Sequence, residues 1–179
     1  MKKFLLILVL LGVAVGGYLV FGKKPQEAKP ENPLMANVQT ITDQGKNHVK
    51  SDTQVEYNSN PPTSGPHYEE WTKAGVYEEP LLDGNLVHSL EHGYVIISYN
   101  CEQENPECKD LISKVVAIWE ESQKNKIIVT PRPSLDTKIA LTAWTKLDKF
   151  DEFDAERINF FIDEFRNKGP ERTMEVYQD

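Results

Sequence analysis

Between Tyr94 and Thr130 the sequence spells strand, helix, strand, and that order leaves few folds open. Tyr94–Tyr99 is a short apolar run with β-branched residues and reads as a buried strand. Asn105-Pro106 then supplies a helix N-cap with proline at the first helical position. Cys108, Leu111, Ile112, Val115, Val116 and Trp119 follow at i, i+3, i+4, i+7, i+8 and i+11, one apolar stripe on an amphipathic helix. Ile127–Thr130 is the second strand, so the unit should be a parallel, right-handed crossover. Lys138–Trp144 reads as a third strand. Asp154 is placed to cap a last helix, with Phe153 and Ile158 as its hydrophobic staple. Ile158, Phe161, Ile162 and Phe165 carry its apolar face, and Gly169-Pro170 is expected to stop it. The expected fold is an α+β or α/β domain. It has a mixed sheet of three to four strands, a βαβ crossover and a C-terminal helix.

The N-terminus belongs to a different regime. Lys2 and Lys3 precede an apolar stretch from Phe4 to Phe21, and Lys23 and Lys24 close it. Eighteen residues of helix cover about 27 Å, the thickness of a bilayer core. The run is longer than a secretory h-region and continues past Gly16 and Gly17, so a retained signal anchor is expected. The expected layout is an anchor over residues 1–24 and a polar linker over 25–44 with Pro25, Pro30 and Pro33. A single extracytoplasmic domain over 45–179 comes next, held at the cell membrane by one pass through residues 4–21. The net charge is −8; the first 24 residues hold four of the 20 basic groups and none of the 28 acidic ones, so the remainder stands at −12. An acidic domain of that kind lacks the basic face that nucleic-acid binding requires.

Residues 46–86 show no sustained periodicity and are rich in Pro and Gly, yet they hold Tyr57, Tyr68, Trp71 and Tyr77. A loop-rich stretch of that length inside a compact domain points to function. All four histidines, His48, His67, His88 and His92, lie in or beside it. His88 and His92 stand at i, i+4. On a helix that spacing sets two rings about 6 Å apart on one face, close enough to chelate. On a strand it sets them about 13 Å apart. Asp83, Gly84 and Asn85 before the pair and Gly93 after it mark the two ends of a short helix. His67 is then expected as third ligand and His48 as a fourth or a supporting contact. Imidazole donors suit zinc, nickel or copper, and copper or zinc is the expected cofactor. Met174 offers a soft donor near the C-terminus.

The motifs Pro61-Pro62-Thr63-Ser64-Gly65-Pro66-His67, Gly75-Val76-Tyr77 and Val87-His88-Ser89-Leu90-Glu91-His92-Gly93 together resemble the domain-of-unknown-function 3105 family. The likeness takes in His48-Val49 and Gly169-Pro170-Glu171 and covers nearly the whole globular part. It implies a secreted or anchored single-domain protein and assigns no activity. Ala74 stands where similar proteins often carry a cysteine.

Two further patterns bear on function. His88-Ser89-Leu90-Glu91-His92 spells H-x-x-E-H, the inverted zincin motif, with Glu91 as the catalytic base. That motif belongs in a longer helix with an acidic ligand on a later one, and here Gly93 and a strand come at once, so Glu91 is expected rather to hydrogen-bond a ring nitrogen or cap the loop. Cys101 and Cys108 are the only cysteines, and a local disulfide is expected in an oxidising compartment. The leading expectation is a non-enzymatic metal-binding protein, with copper handling as its outer form. An interaction module contacting an extracytoplasmic protein partner is the second, and a metal-dependent hydrolase the third.

Overall fold

A computed structural model describes residues 32–171. Every helix and strand among the described residues lies between Pro33 and Phe165. The expected anchor at residues 4–21 and Met174 lie outside the described residues. Among those described, no helix is long and apolar enough to cross a membrane.

The strand–helix–strand unit is present. Its strands β5 (Val95–Tyr99) and β6 (Ile127–Pro131) pair in parallel across helix α2 (Pro106–Glu121). The Asn105 side chain accepts from the Glu107 amide at 2.8 Å and caps α2. Strand β7 (Ile139–Ala143) runs antiparallel on the other side of β5. Helix α3 (Ala155–Phe165) comes last, with the Asp154 carboxylate accepting from the Arg157 amide at 3.0 Å.

The sheet is larger than the three to four strands expected. Six strands run in the order β1-β8-β7-β5-β6-β4. The additions are β8 (Lys146–Phe150) and the two-residue strands β1 (Gln39–Thr40) and β4 (Gly75–Val76). β8 escapes a periodicity reading because its sequence is Lys-Leu-Asp-Lys-Phe, more than half of it charged. Two of those charges are matched in space: Asp148 pairs with Arg157, and Lys149 pairs with Asp136 at 2.6 Å. The hairpin joining β7 to β8 turns on Trp144-Thr145, with Thr145 at φ 60°, where a glycine or asparagine would normally signal the turn. β1 falls within the stretch expected as linker and pairs with β8. α3 ends four residues before Gly169, with Asn167 in the left-handed region at φ 63°.

Alternation along the strands gives the sheet two covered faces. Val95, Ile97, Ile127, Val129, Ile139 and Leu141 pack with Val115 and Ile118 of α2 and with Ile158, Phe161, Ile162 and Phe165 of α3. On the opposite face Ile96 and Ile128 pack with Tyr94 and with Leu86 and Leu90 of helix α1 (Asp83–Glu91). α1 is the short helix expected around the H-x-x-E motif. Asp83 in its first turn is paired with Arg132, whose Nε also donates to Asn60 Oδ1 at 2.7 Å.

The C-terminal end of α1 is clamped from behind. The Asn167 amide donates to the Gly93 carbonyl at 2.8 Å and the Glu171 amide to the Glu91 carbonyl at 3.0 Å. Lys126 Nζ donates to the His92 carbonyl at 2.8 Å. Gly169 lies so close that a Cβ there would stand 2.1 Å from the Glu91 carbonyl oxygen and 2.4 Å from the Gly93 nitrogen. Both neighbours are backbone, so neither can swing away. Away from this face, Cys101 and Cys108 form the expected disulfide.

This packing sets two expectations for stability. Gly169→Ala should cost about 3 kcal/mol, the upper end of ordinary overpacking. Denaturant unfolding should show the loss as a lower midpoint at unchanged slope, and a variant as stable as the parent would refute the close packing. Replacing both cysteines with alanine should cost about 2–3 kcal/mol on the chain-entropy account of so short a loop. An unchanged midpoint would show that the bridge adds nothing.

Candidate metal site

The site sits on the α1 side of the sheet, where the loop-rich segment folds over the helix. Two short strands, β2 (His48–Val49) and β3 (His67–Tyr68), pair in parallel, with His48 opposite His67 and Val49 opposite Tyr68. That register sets two imidazoles side by side. Backbone bonds carry the pairing further, from the Gly65 amide to the Gly45 carbonyl and from the His67 amide to the Asn47 carbonyl. The Tyr57 hydroxyl donates to the Pro66 carbonyl at 2.8 Å, and burial pushes its pKa up, which keeps the donor protonated.

α1 brings the remaining members. His88 and Glu91 are at i, i+3 on one face, while Leu86 and Leu90 face the sheet core. The rings of His48, His67 and His88 form a nearly equilateral triangle, with centroids 4.9, 4.8 and 4.9 Å apart. Glu91 is buried beside them. Its Oε2 lies 3.1 Å from His67 Nε2 and 4.0 Å from His48 Nε2. Ligand atoms of His48, His67, His88 and Glu91 all fall within 4.8 Å of one another, so this set can hold a metal ion.

The tautomers of the two buried rings are fixed by their partners. His67 Nδ1–H donates to the Gly65 carbonyl at 2.8 Å, and His88 Nδ1–H donates to the Tyr68 carbonyl at 2.7 Å. A carbonyl can only accept, so each Nδ1 carries hydrogen and each neutral ring presents a bare Nε2 lone pair. Imidazoles that ligate metals are held this way, the second nitrogen donating to a carbonyl or carboxylate. The contact of His67 Nε2 with Glu91 Oε2 joins two acceptors unless a proton or a cation lies between them. Burial lowers the pKa of His88; the Tyr68 carbonyl partly opposes this, and the neighbouring rings of His67, His92 and His48 lower it further.

Of the expected ligands, His48, His67 and His88 come together, and His92 stands apart from that set. Helix α1 stops at Glu91, and His92 is its C-cap at φ −77° and ψ 6°. The His92 ring stacks on His88, with centroids 4.6 Å apart and planes 21° apart. Stacked rings aim their nitrogens side by side rather than at a common point. Glu91, expected to hydrogen-bond a ring nitrogen, does so at His67 and is a potential ligand as well. The i, i+3 spacing of His88 and Glu91 was the signal for it. Trp71, 44% exposed, leans over the stack, 5.6 Å from His88 and 5.2 Å from His92. Its loop is fixed to α1 by Ser89, whose hydroxyl accepts from the Thr72 amide at 3.0 Å, and by Asn85, which donates to the Glu70 carbonyl at 2.7 Å.

Gly84 allows β3 and α1 to meet, since a Cβ on it would lie 2.5 Å from the Tyr68 ring. The Tyr68 carbonyl that orients His88 is therefore brought to the helix by a glycine in the first turn of α1.

Neither the curated proteins nor the solved structures include a match to this chain. One family model does match, over residues 48–177, a span that opens on His48 and takes in His67, His88, Glu91 and Gly169. The chain belongs to the family described as protein of unknown function (DUF3105).

Proposed function

We propose that this domain binds one transition-metal ion through His48, His67, His88 and Glu91, as a binding protein rather than an enzyme. The observation that carries the reading is the commitment of both buried Nδ1–H groups to carbonyls, which leaves each Nε2 as the ligating nitrogen, that of His67 lying 3.1 Å from the buried Glu91 carboxylate. Three imidazoles and one carboxylate suit zinc or copper, and copper stands higher in the Irving–Williams order. Tetrahedral ligation at about 2.0–2.1 Å needs donor atoms about 3.3 Å apart. Binding would therefore draw the set inward from its present spread. The half-exposed His48 is the member freest to move.

We further propose that the apolar segment 4–21 holds the domain outside the cytoplasm, where the Cys101–Cys108 disulfide would persist. In that setting the site would take up or pass on copper or zinc. The hydrolase alternative needs His88 and His92 to share one ion with Glu91 as base. The stacking of those two rings favours the binding reading instead.

Full-length protein, purified without a histidine tag, should bind one equivalent of copper or zinc. His67→Ala, His88→Ala and Glu91→Gln should each weaken binding at least tenfold, or about 1.4 kcal/mol. His92→Ala should have a smaller effect. Because Glu91→Gln keeps the shape of the side chain and His48 is half exposed, Glu91→Gln and His48→Ala test ligation with the fold intact. Uptake below about a tenth of an equivalent of every ion offered would end the reading.

The pH dependence has a definite sign. Neutral imidazole is the ligand, and an unperturbed histidine takes up its proton near about 6.5. Because the folded His88 pKa is lowered, the unfolded chain protonates first as pH falls. The stability it contributes is present above about pH 6.5 and is lost as pH falls from there towards the folded value. Metal affinity and the melting temperature of the metal-free protein should both decline below about pH 6.5. A metal affinity that stays level from pH 7.5 to 5 would contradict imidazole ligation.

A further inference from the structure

The buried carboxylate of the site has a second charged neighbour. Lys46 Nζ lies 3.7 Å from Glu91 Oε1, while Oε2 of the same carboxylate faces His67. The side chains of Lys46 and His48 are 56% and 47% exposed, whereas those of Glu91 and His67 are 3% and 0% exposed. Water therefore reaches this group of side chains from the side of Lys46 and His48. A fifth coordination position, added to the four protein donors, would open on that side.

Charge then decides what fills it. A divalent ion held by three neutral imidazoles and one carboxylate keeps one net positive charge, and the Lys46 ammonium adds a second within contact distance of the same carboxylate. The other charged groups beside His48 are Asp52, Glu69, Glu70 and Lys50, which line an adjoining groove. All four are exposed, so water and salt screen them. Their acidic balance draws cations to the entrance, but none of them is placed to bridge the ion and the ammonium. An anion placed between the ion and the ammonium does.

Given a bound metal ion, we propose that the loaded site takes a small oxyanion, such as a carboxylate or carbonate, as an exogenous ligand; this rests on the metal-binding reading. One oxygen would bind the ion on its solvent side and another would accept from Lys46 Nζ. Lys46 is then a ligand-binding residue of the loaded protein and a partner of Glu91 in the metal-free one.

Cobalt(II) serves as a spectroscopic probe, because its visible bands report ligand number and type. Full-length protein in detergent, loaded with one equivalent of cobalt(II), should change its visible spectrum saturably as acetate or bicarbonate is added. Lys46→Gln should raise the apparent Kd for the anion at least tenfold without weakening cobalt(II) binding, and Lys46→Arg should restore most of it. A cobalt(II) spectrum that forms but ignores both anions would overturn the proposal while leaving the metal reading intact. So would a Lys46→Gln protein that titrates like the parent, since Lys46 would then only pin Glu91. If no cobalt(II) spectrum forms and neither copper nor zinc is taken up, the metal reading fails and the anion site falls with it.

Discussion

Two backbone carbonyls, those of Gly65 and Tyr68, decide which nitrogens the buried imidazoles present. Each accepts from a histidine Nδ1–H, at 2.8 and 2.7 Å, and so leaves Nε2 as the free-lone-pair nitrogen of the ring; that of His67 lies 3.1 Å from Glu91 Oε2. A buried imidazole with one fixed donor bond loses the choice of tautomer and much of its rotational freedom. The orientation of the two buried rings is thus set by the backbone. Placing those carbonyls requires β3 to lie tight against α1, which Gly84 permits, and the Gly65 turn to be pinned by the Gly45 carbonyl.

The rest of the architecture holds α1 in place for that contact. On one side Leu86 and Leu90 bury themselves against Tyr94, Ile96 and Ile128 of the sheet. At its start Asp83 meets Arg132, and at its end the chain from Asn167 to Glu171 closes over the last carbonyls. The close approach of Gly169 to the Glu91 carbonyl links the C-terminal segment to the very residue that supplies the carboxylate. The motifs scattered along the sequence, from His48-Val49 to Gly169-Pro170-Glu171, thereby converge on one helix end.

How much of this was legible beforehand depended on the kind of signal. α2 and α3 could be read because an apolar stripe and a capping residue agree in each. β8 could not, because its charged residues find partners only in three dimensions, and its turn carries no glycine. The two-residue strands β2 and β3 are too short for any periodicity, yet their register sets His48 beside His67. The histidines themselves were visible by type and clustering. The reading of His92 rests on α1 reaching it; the helix ends at Glu91 with His92 as its C-cap, the His92 amide still bonded to the His88 carbonyl and its ring stacked on that of His88. Glu91 was visible too, but as a base or as a partner of a ring, because the H-x-x-E-H pattern directs attention to the two outer residues.

X-ray absorption of the metal-loaded protein reads the set of ligands directly. With zinc or copper bound by His48, His67, His88 and Glu91, it should show three imidazole nitrogens and at least one oxygen, at about 2.0–2.2 Å. Four imidazoles would instead make His92 a ligand, and coordination by oxygen alone would place the ion elsewhere. Either result would contradict ligation by His48, His67, His88 and Glu91.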